Sequence, residues 1–245
     1  MDRSLDGRVA VVTGAGVRLG RSIAEALGQR GAKVVIHYHQ SKVGAEQAAS
    51  AIRGAGSEAV LAQADLTRAD ELARVFAAAD GLGGCDLLVN SAAIFERRSI
   101  EEIDEACWRR MIDLDLAAPF LCCRAALPSM RRKGRGDIVN IVDLGGALKA
   151  WKGYAHYCAA KAGLATLTRC LALELAPVIR VNAVAPGTVL FPKGESEAER
   201  ARELARIPLE REGSPDDVVR AIDYLLDAPY VTGQILAVDG GRAIS

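Results

Sequence analysis

Val9-Ala10-Val11-Val12-Thr13-Gly14-Ala15-Gly16-Val17-Arg18-Leu19-Gly20 is the stretch on which the fold turns. A short apolar run ends in a turn holding Gly14, Gly16 and Gly20, and an Ala/Leu-rich helical stretch, Leu19–Arg30, follows. Glycines at such a turn let the backbone bend tightly and come close to a pyrophosphate. The helix that opens there offers free N–H groups and the positive end of its dipole. A glycine string alone is weak; with a strand before it and a helix after it, it reads as a dinucleotide site.

Working outward, further strand candidates fall at Lys33–Tyr38, Glu58–Gln63, Asp86–Asn90, Asp137–Val142, Ile179–Val184 and Gln234–Val238, after a first at Arg8–Val12. Helical candidates alternate with them at Val43–Arg53, Ala69–Ala79, Glu105–Met130, Tyr154–Leu175 and Pro215–Leu226. The first five strands are continuous apolar runs, as expected where both faces are covered. The pattern predicts an α/β protein: residues 1–245 as a single Rossmann-type domain, a doubly wound parallel sheet of about seven strands with helices on both faces. The least regular stretch, Gly187–Gly213, with a short helix expected at Ser196–Arg206, reads as a substrate loop.

Lys plus Arg and Asp plus Glu are each 31 in 245 residues, so the net charge is zero. That balance speaks against a general nucleic-acid or anionic-membrane binder and leaves a small-molecule substrate. The cluster Arg131, Arg132, Lys133 and Arg135 reads as a solvated loop after a helix. None of the six cysteines forms a Cys-x-x-Cys pair or lies at zinc-ligand spacing from a His, so no metal is expected. Free cysteines in apolar stretches suit a reducing cytoplasm. Met1–Asp6 has no apolar core of a signal peptide, and no run of ~18 apolar residues suggests a membrane span.

The second strand bears on the coenzyme. An NAD binder usually carries Asp or Glu there for the ribose 2′-hydroxyl. This strand ends in Ile36-His37-Tyr38-His39-Gln40-Ser41, with no acid. His39 and Ser41 can donate hydrogen bonds and Arg18 carries a permanent charge, which favours a 2′-phosphate and hence NADPH. Asp65 and Leu66 after the third strand, and Asn90-Ser91-Ala92-Ala93 after the fourth, would line the same crevice, Asp65 accepting from the adenine amine.

The strongest chemical signal is Tyr157-x-x-x-Lys161, whose spacing puts both side chains on one helical face. A phenol of ordinary pKa ~10 is a poor acid–base group, and an ammonium neighbour tunes it. Thr13–Gly20, Asn90–Ala93, Tyr157/Lys161, the stretch from Asn182 to Pro186-Gly187 and Val238-Asp239-Gly240-Gly241 together resemble the short-chain dehydrogenase/reductase family over nearly the whole chain. The resemblance implies hydride transfer at nicotinamide C4, with Tyr157 as proton donor or acceptor and Lys161 on the nicotinamide ribose. It also implies Pro186 and Gly187 beside the nicotinamide, Thr188 at its carboxamide, and a homotetramer.

Three departures stand out. Arg18 occupies a position where the family usually has Gly. Asp143 stands where it usually has Ser, 14 residues before Tyr157, about one more than usual. Asp115, in Asp115-Leu116-Ala117-Ala118-Pro119-Phe120, stands where it usually has Asn. Arg18, His37-Tyr38-His39 and Asp143 resemble the pteridine reductases, which also stack a pterin on a Phe at the place of Phe95. On that reading the substrate is a pterin-like C=N heterocycle met by Phe95, Arg18 and Asp143, with Asp115 titrating jointly with its neighbours. The alternative is a carbonyl reductase, such as a 3-oxoacyl carrier-protein or ketone reductase. A nucleotide-binding regulator with little turnover is the reading from another class.

Overall fold

β1 (Val9–Val12) is buried at every position and is paired in parallel on both sides, with β2 (Lys33–Tyr38) and with β4 (Leu87–Asn90). In this computed structural model, residues 4–191, 194 and 196–245 are described. Met1–Arg3 of the N-terminal stretch, and Pro192, Lys193 and Glu195 of the expected substrate loop, lie outside them. The remaining strands are β3 (Ala59–Gln63), β5 (Gly136–Ile141), β6 (Ile179–Pro186) and β7 (Ile235–Val238). They complete one parallel sheet in the order β3-β2-β1-β4-β5-β6-β7. The strand order reverses between β1 and β4, and such a reversal opens a crevice at the strands' C-terminal ends.

Helices close both faces, which is why the strands read as unbroken apolar runs. On one face pack Ile23 and Leu27 of α1 (Arg18–Gln29), Ile52 of α2 (Lys42–Gly54) and Ile222 and Leu225 of α9 (Pro215–Asp227). On the other pack Val75 and Phe76 of α3 (Ala69–Gly81), Cys122 and Met130 of α5 (Ala118–Lys133) and Leu171 and Leu175 of α7 (Ala155–Leu175). Burial pushes the thiols of Cys85 and Cys123 up to about 12, so these cysteines act as small apolar side chains. Within the described residues no helix is long and apolar enough to cross a membrane.

Two local expectations are revised. The basic cluster is not a free loop: Arg131–Lys133 end α5, and the Lys133 ammonium lies 2.6 Å from the buried Asp86 carboxylate, with Arg135 at 3.5 Å. A buried carboxylate needs such partners. The helix expected over Glu105–Met130 is divided into α4 (Glu105–Ile112), a π-helical turn (Asp113–Ala117) and α5. Pro119 is the physical cause, since it has no N–H to donate to the carbonyl of Asp115 one turn earlier. The Ala118 N–H instead bonds the Asp113 carbonyl, and the wide turn carries Asp115 into the interior.

Between Asp143 and Tyr157 lies α6 (Leu144–Ala147), a single distorted turn. Gly146 sits there at φ 89°, and a Cβ on it would fall 2.4 Å from the Cys158 carbonyl oxygen of α7. Only glycine permits both the left-handed backbone and this approach. Gly146→Ala is therefore expected to destabilise by ~2 kcal/mol or more. The measurable result is a fall in Tm of about 4–8 °C; an unchanged melting curve would contradict this account of the turn.

Candidate active site

A cleft of about 1810 Å³ runs along the C-terminal edge of the sheet. It is walled by the glycine turn, the end of β2, the turns after β3, β4, β5 and β6, and the N-terminal part of α7. It holds the chemistry-bearing residues at one end and the glycine turn at the other.

At the glycine end, two turns cross in close contact. Gly14 lies at φ 67°, and a Cβ on it would fall 2.8 Å from Ala92 Cα. Thr13 Oγ1 accepts from the backbone N–H groups of Ser91 (2.9 Å) and Ala92 (3.0 Å), tying the turn after β1 to the turn after β4. His37 Nδ1 accepts from Gly14 N (3.0 Å) while Nε2 donates to the Ala64 carbonyl (3.0 Å). Burial lowers the pKa of this imidazole, and the Gly14 bond fixes its tautomer with the proton on Nε2. His37 thus clamps three strand ends, where its position alone reads as an ordinary strand end.

The first turn of α1, Arg18 to Gly20, lines the cleft, has no side-chain cap and contains no acid. Its N–H groups and dipole remain available to an anion. Arg18 is itself left-handed (φ 49°), and its guanidinium donates to the Leu190 carbonyl at 2.9 Å across the cleft. His39, Gln40 and Ser41 line the cleft with no carboxylate among them. Leu19, Leu66, Ala92, Pro186, Gly187 and Thr188 also lie on the wall. Asp65 lines it too; hydrogen bonds from the Thr67 hydroxyl (2.7 Å) and N–H (3.0 Å) hold its carboxyl below the usual range. The open backbone and the uncapped helix end fit a dinucleotide.

Gly16 and Asn90 are set back from the wall. A Cβ at Gly16 would fall 2.2 Å from Ser41 Oγ, so this glycine lets the turn after β2 pack close. Asn90 Nδ2 donates to Asn140 Oδ1 (2.8 Å), and Asn140 Nδ2 donates to Thr168 Oγ1 (2.9 Å). That buried chain joins β4 and β5 to α7, the helix that carries Tyr157 and Lys161.

At the other end, Tyr157 Oη donates to Asp143 Oδ2 at 2.8 Å, and Gly145 N donates to Asp143 Oδ1 at 2.7 Å. Lys161 Nζ donates to the Ile141 carbonyl at 3.2 Å and stands 3.3 Å from Asp115 Oδ2. Asp115 Oδ1 accepts from Ile94 N at 2.9 Å. Tyr157, Lys161 and Asp115 are all buried. Burial, reinforced by the Asp143 carboxylate, pushes the Tyr157 phenol well above its ordinary value. Burial also pushes Asp143 up to about 6, against the opposing pull of the Gly145 and Tyr157 hydrogen bonds. Burial raises Asp115 as well, opposed by the Lys161 charge. The phenol is thus held protonated beside a carboxyl able to exchange protons near neutrality. Among the described residues, no group of three His, Cys, Asp or Glu is placed to hold a metal ion.

Phe95 lies at this end, 47% exposed, stacked on Tyr154 (centroids 4.8 Å apart, planes 18°) and edge-on to Tyr157 (4.9 Å). Trp151 completes the group, edge-on to Phe95 at 6.3 Å. Four of the chain's eleven Phe, Trp and Tyr residues therefore meet at one place. Trp151 and Tyr154 were not singled out from the sequence. Their crowding just before Tyr157, in a chain with so few aromatics, is the signal that could have found them.

The family profile described as enoyl-(acyl carrier protein) reductase matches residues 14–243. The chain is 42% identical to cis-4-hydroxycyclohexanecarboxylate dehydrogenase of Sinomonas cyclohexanicum over 248 residues, 98% of each chain. It is 37% identical to 3-oxoacyl-[acyl-carrier-protein] reductase of Synechocystis sp. over 247 residues, 98% of this chain and 99% of that one. Among solved structures, it matches 7α-hydroxysteroid dehydrogenase complexed with NADH and 7-oxo glycochenodeoxycholic acid. The TM-score is 0.92 at 30% identity, covering 98% of this chain and 96% of the other. These likenesses span almost the full length and give the closeness to pteridine reductases no support. The chain belongs to the short-chain dehydrogenase/reductase family and is an oxidoreductase.

Proposed function

We propose that this chain is an NADPH-dependent reductase of a small ketone. The observation that carries the reading is the Tyr157–Asp143 hydrogen bond, which holds a buried phenol protonated on the wall of the cleft. A reduced nicotinamide held along the cleft by Gly14, Pro186, Gly187 and Thr188 would supply a hydride to the carbonyl carbon. Tyr157 gives its proton to the carbonyl oxygen, so a C=O becomes CH–OH and the phenolate is reprotonated through Asp143 from solvent. Lys161, with two partners in Ile141 and Asp115, keeps a further N–H for a ribose hydroxyl. Arg18, His39 and Ser41 favour the 2′-phosphate. Gly14, Leu19, Asp65, Leu66, Ala92, Pro186, Gly187 and Thr188 shape the rest of the coenzyme's bed.

The relatives' names favour ketone and hydroxyl chemistry: a hydroxycyclohexanecarboxylate, a 3-oxoacyl group and a 7-oxo steroid. A pterin-like substrate is the second reading, supported by Arg18, Asp143 and the half-open Phe95. One face of Phe95 is already covered by Tyr154, so a stacked heterocycle would have to use the other.

The deciding experiment follows NADPH and NADH oxidation with cyclohexanone, an acetoacetyl thioester and a dihydropterin. Ketone turnover with a preference for NADPH is expected; turnover of the dihydropterin alone would replace this reading with the second. Tyr157→Phe is expected to lower kcat by roughly 10²–10⁴. Arg18→Ala is expected to raise KM for NADPH about tenfold with little change for NADH, the size of one lost charge-assisted phosphate contact. Equal use of both coenzymes by the unaltered protein would remove the phosphate argument.

The direction of reaction gives a pH test. Alcohol oxidation needs the phenolate, which the Asp143 charge opposes, so oxidation should rise only in the alkaline range. Asp143→Ser removes that charge. The midpoint of the oxidation profile should then move down by ~1 pH unit or more, and an unmoved midpoint would show that Asp143 does not govern the phenol.

A further inference from the structure

Eight Lys and Arg residues but only three Asp and Glu line the cleft among the described residues, in a chain of zero net charge. Arg18 belongs to the coenzyme end and Lys161 to the chemical centre. The other six are Arg97, Arg110, Lys149, Lys152, Arg206 and Arg242.

Most of these six are already engaged. Arg110 pairs with Glu96 at 2.6 Å. Arg206 and Arg242 share Glu203 at 3.5 and 3.1 Å. Lys149 donates to the Ser245 carbonyl. Arg97 and Lys152 remain, both exposed and without an ion pair or hydrogen bond to any described residue. Glu199 feels the charge of Arg97, but its carboxyl is held low first by its own hydrogen bonds to Ser196.

Arg97 and Lys152 lie on neighbouring segments. Arg98 N donates to the Gly153 carbonyl at 2.8 Å, so the segment after β4 runs against the segment before α7. A Cβ on Gly153 would fall 3.2 Å from Arg97 Cγ. Phe95 and Arg97 stand on one segment, and Trp151, Lys152 and Tyr154 on the other. An aromatic wall beside the reacting phenol thus adjoins two exposed cations that have no ion pair among the described residues. Aromatic faces suit a ring or other flat apolar body, and free cations suit an anion at its far end.

We infer that the substrate is a cyclic or flat ketone carrying a carboxylate or comparable anion, which Arg97 and Lys152 receive while the ring rests on Phe95, Trp151 and Tyr154. This rests on the ketone-reductase reading above. The ketone must enter first, with the anion trailing at the mouth.

The test compares 4-oxocyclohexanecarboxylate with its methyl ester, which shares the ring and the ketone and lacks the charge. The ratio of kcat/KM, acid over ester, is expected to be roughly five to ten, the worth of two partly exposed ion pairs. It should fall towards one in the Arg97→Gln/Lys152→Gln double variant and between 50 and 500 mM salt. Cyclohexanecarboxylate should inhibit competitively, and should do so more weakly in the double variant, which reads binding without turnover. A ratio of one or below in the unaltered protein overturns the inference while ester turnover leaves the reductase reading standing. An unchanged ratio in the double variant overturns the assignment to Arg97 and Lys152. If neither ketone is reduced, the reductase reading has failed, and the inference with it.

Discussion

A buried ammonium needs an anion, and the placement of the Lys161 side chain organises the whole catalytic end. Leaving such a charge unpaired would cost several kcal/mol, so Asp115 must reach it from a different helix. The route is the π-helical turn, which exists because Pro119 cannot supply the N–H that would close a regular turn on Asp115. Asp115 in turn fixes the Ile94 N–H, beside the aromatic Phe95. Lys161 also bonds the carbonyl of Ile141 at the end of β5, two residues before Asp143. One cation therefore positions α7, the helix break, the turn after β4 and the turn that carries the second acid.

Electrostatics follows from this packing. Paired with Asp115, Lys161 offers Tyr157 less help in forming its anion than an unpaired ammonium would, and Asp143 opposes that anion directly. Both effects keep the proton on the phenol. The coenzyme end works by different means, backbone approach and an uncapped helix, and its clamp is the neutral imidazole of His37. A neutral clamp adds no charge to a region that has to accept phosphates. Arg18, bonded to Leu190 across the cleft, links the glycine turn to the segment after β6.

The sequence made the sheet legible because its strands are buried on both faces and its helices are periodic. Lys33–Tyr38 lies where the pattern puts it, and the other strands differ only at their ends. Tyr157, Lys161 and Asp143 were legible because helical spacing and strand-end position carry over directly into geometry. The π turn was missed although Pro119 signalled it, because apolar periodicity runs through the break. Asn90 stood at a strand end facing the expected cleft, yet its amide points inward to Asn140; the alternation of a strand does not reveal which polar partner lies behind it. The rim of Arg97 and Lys152 was beyond reach, since it depends on a contact between the segments after β4 and before α7 that no local pattern encodes.

The charges along the cleft also limit how a substrate can enter. The coenzyme end is cationic at Arg18, the centre holds the Lys161–Asp115 pair with Asp143 beside it, and the outer end is cationic at Arg97 and Lys152. An acidic ketone inserted anion-first would bring its charge against Asp143, which ionises above about 6, and would leave both rim cations unmatched. Inserted ketone-first, it places a neutral, hydrogen-bond-accepting oxygen at the Tyr157 hydroxyl. Discrimination of this kind needs a repulsive element as well as an attractive one. Ser at position 143 could bind a carbonyl but could not repel a carboxylate. On the proposed reductase reading, the acid at that position serves two ends with one charge: it keeps the phenol protonated for reduction, and it would turn an anionic substrate the right way round.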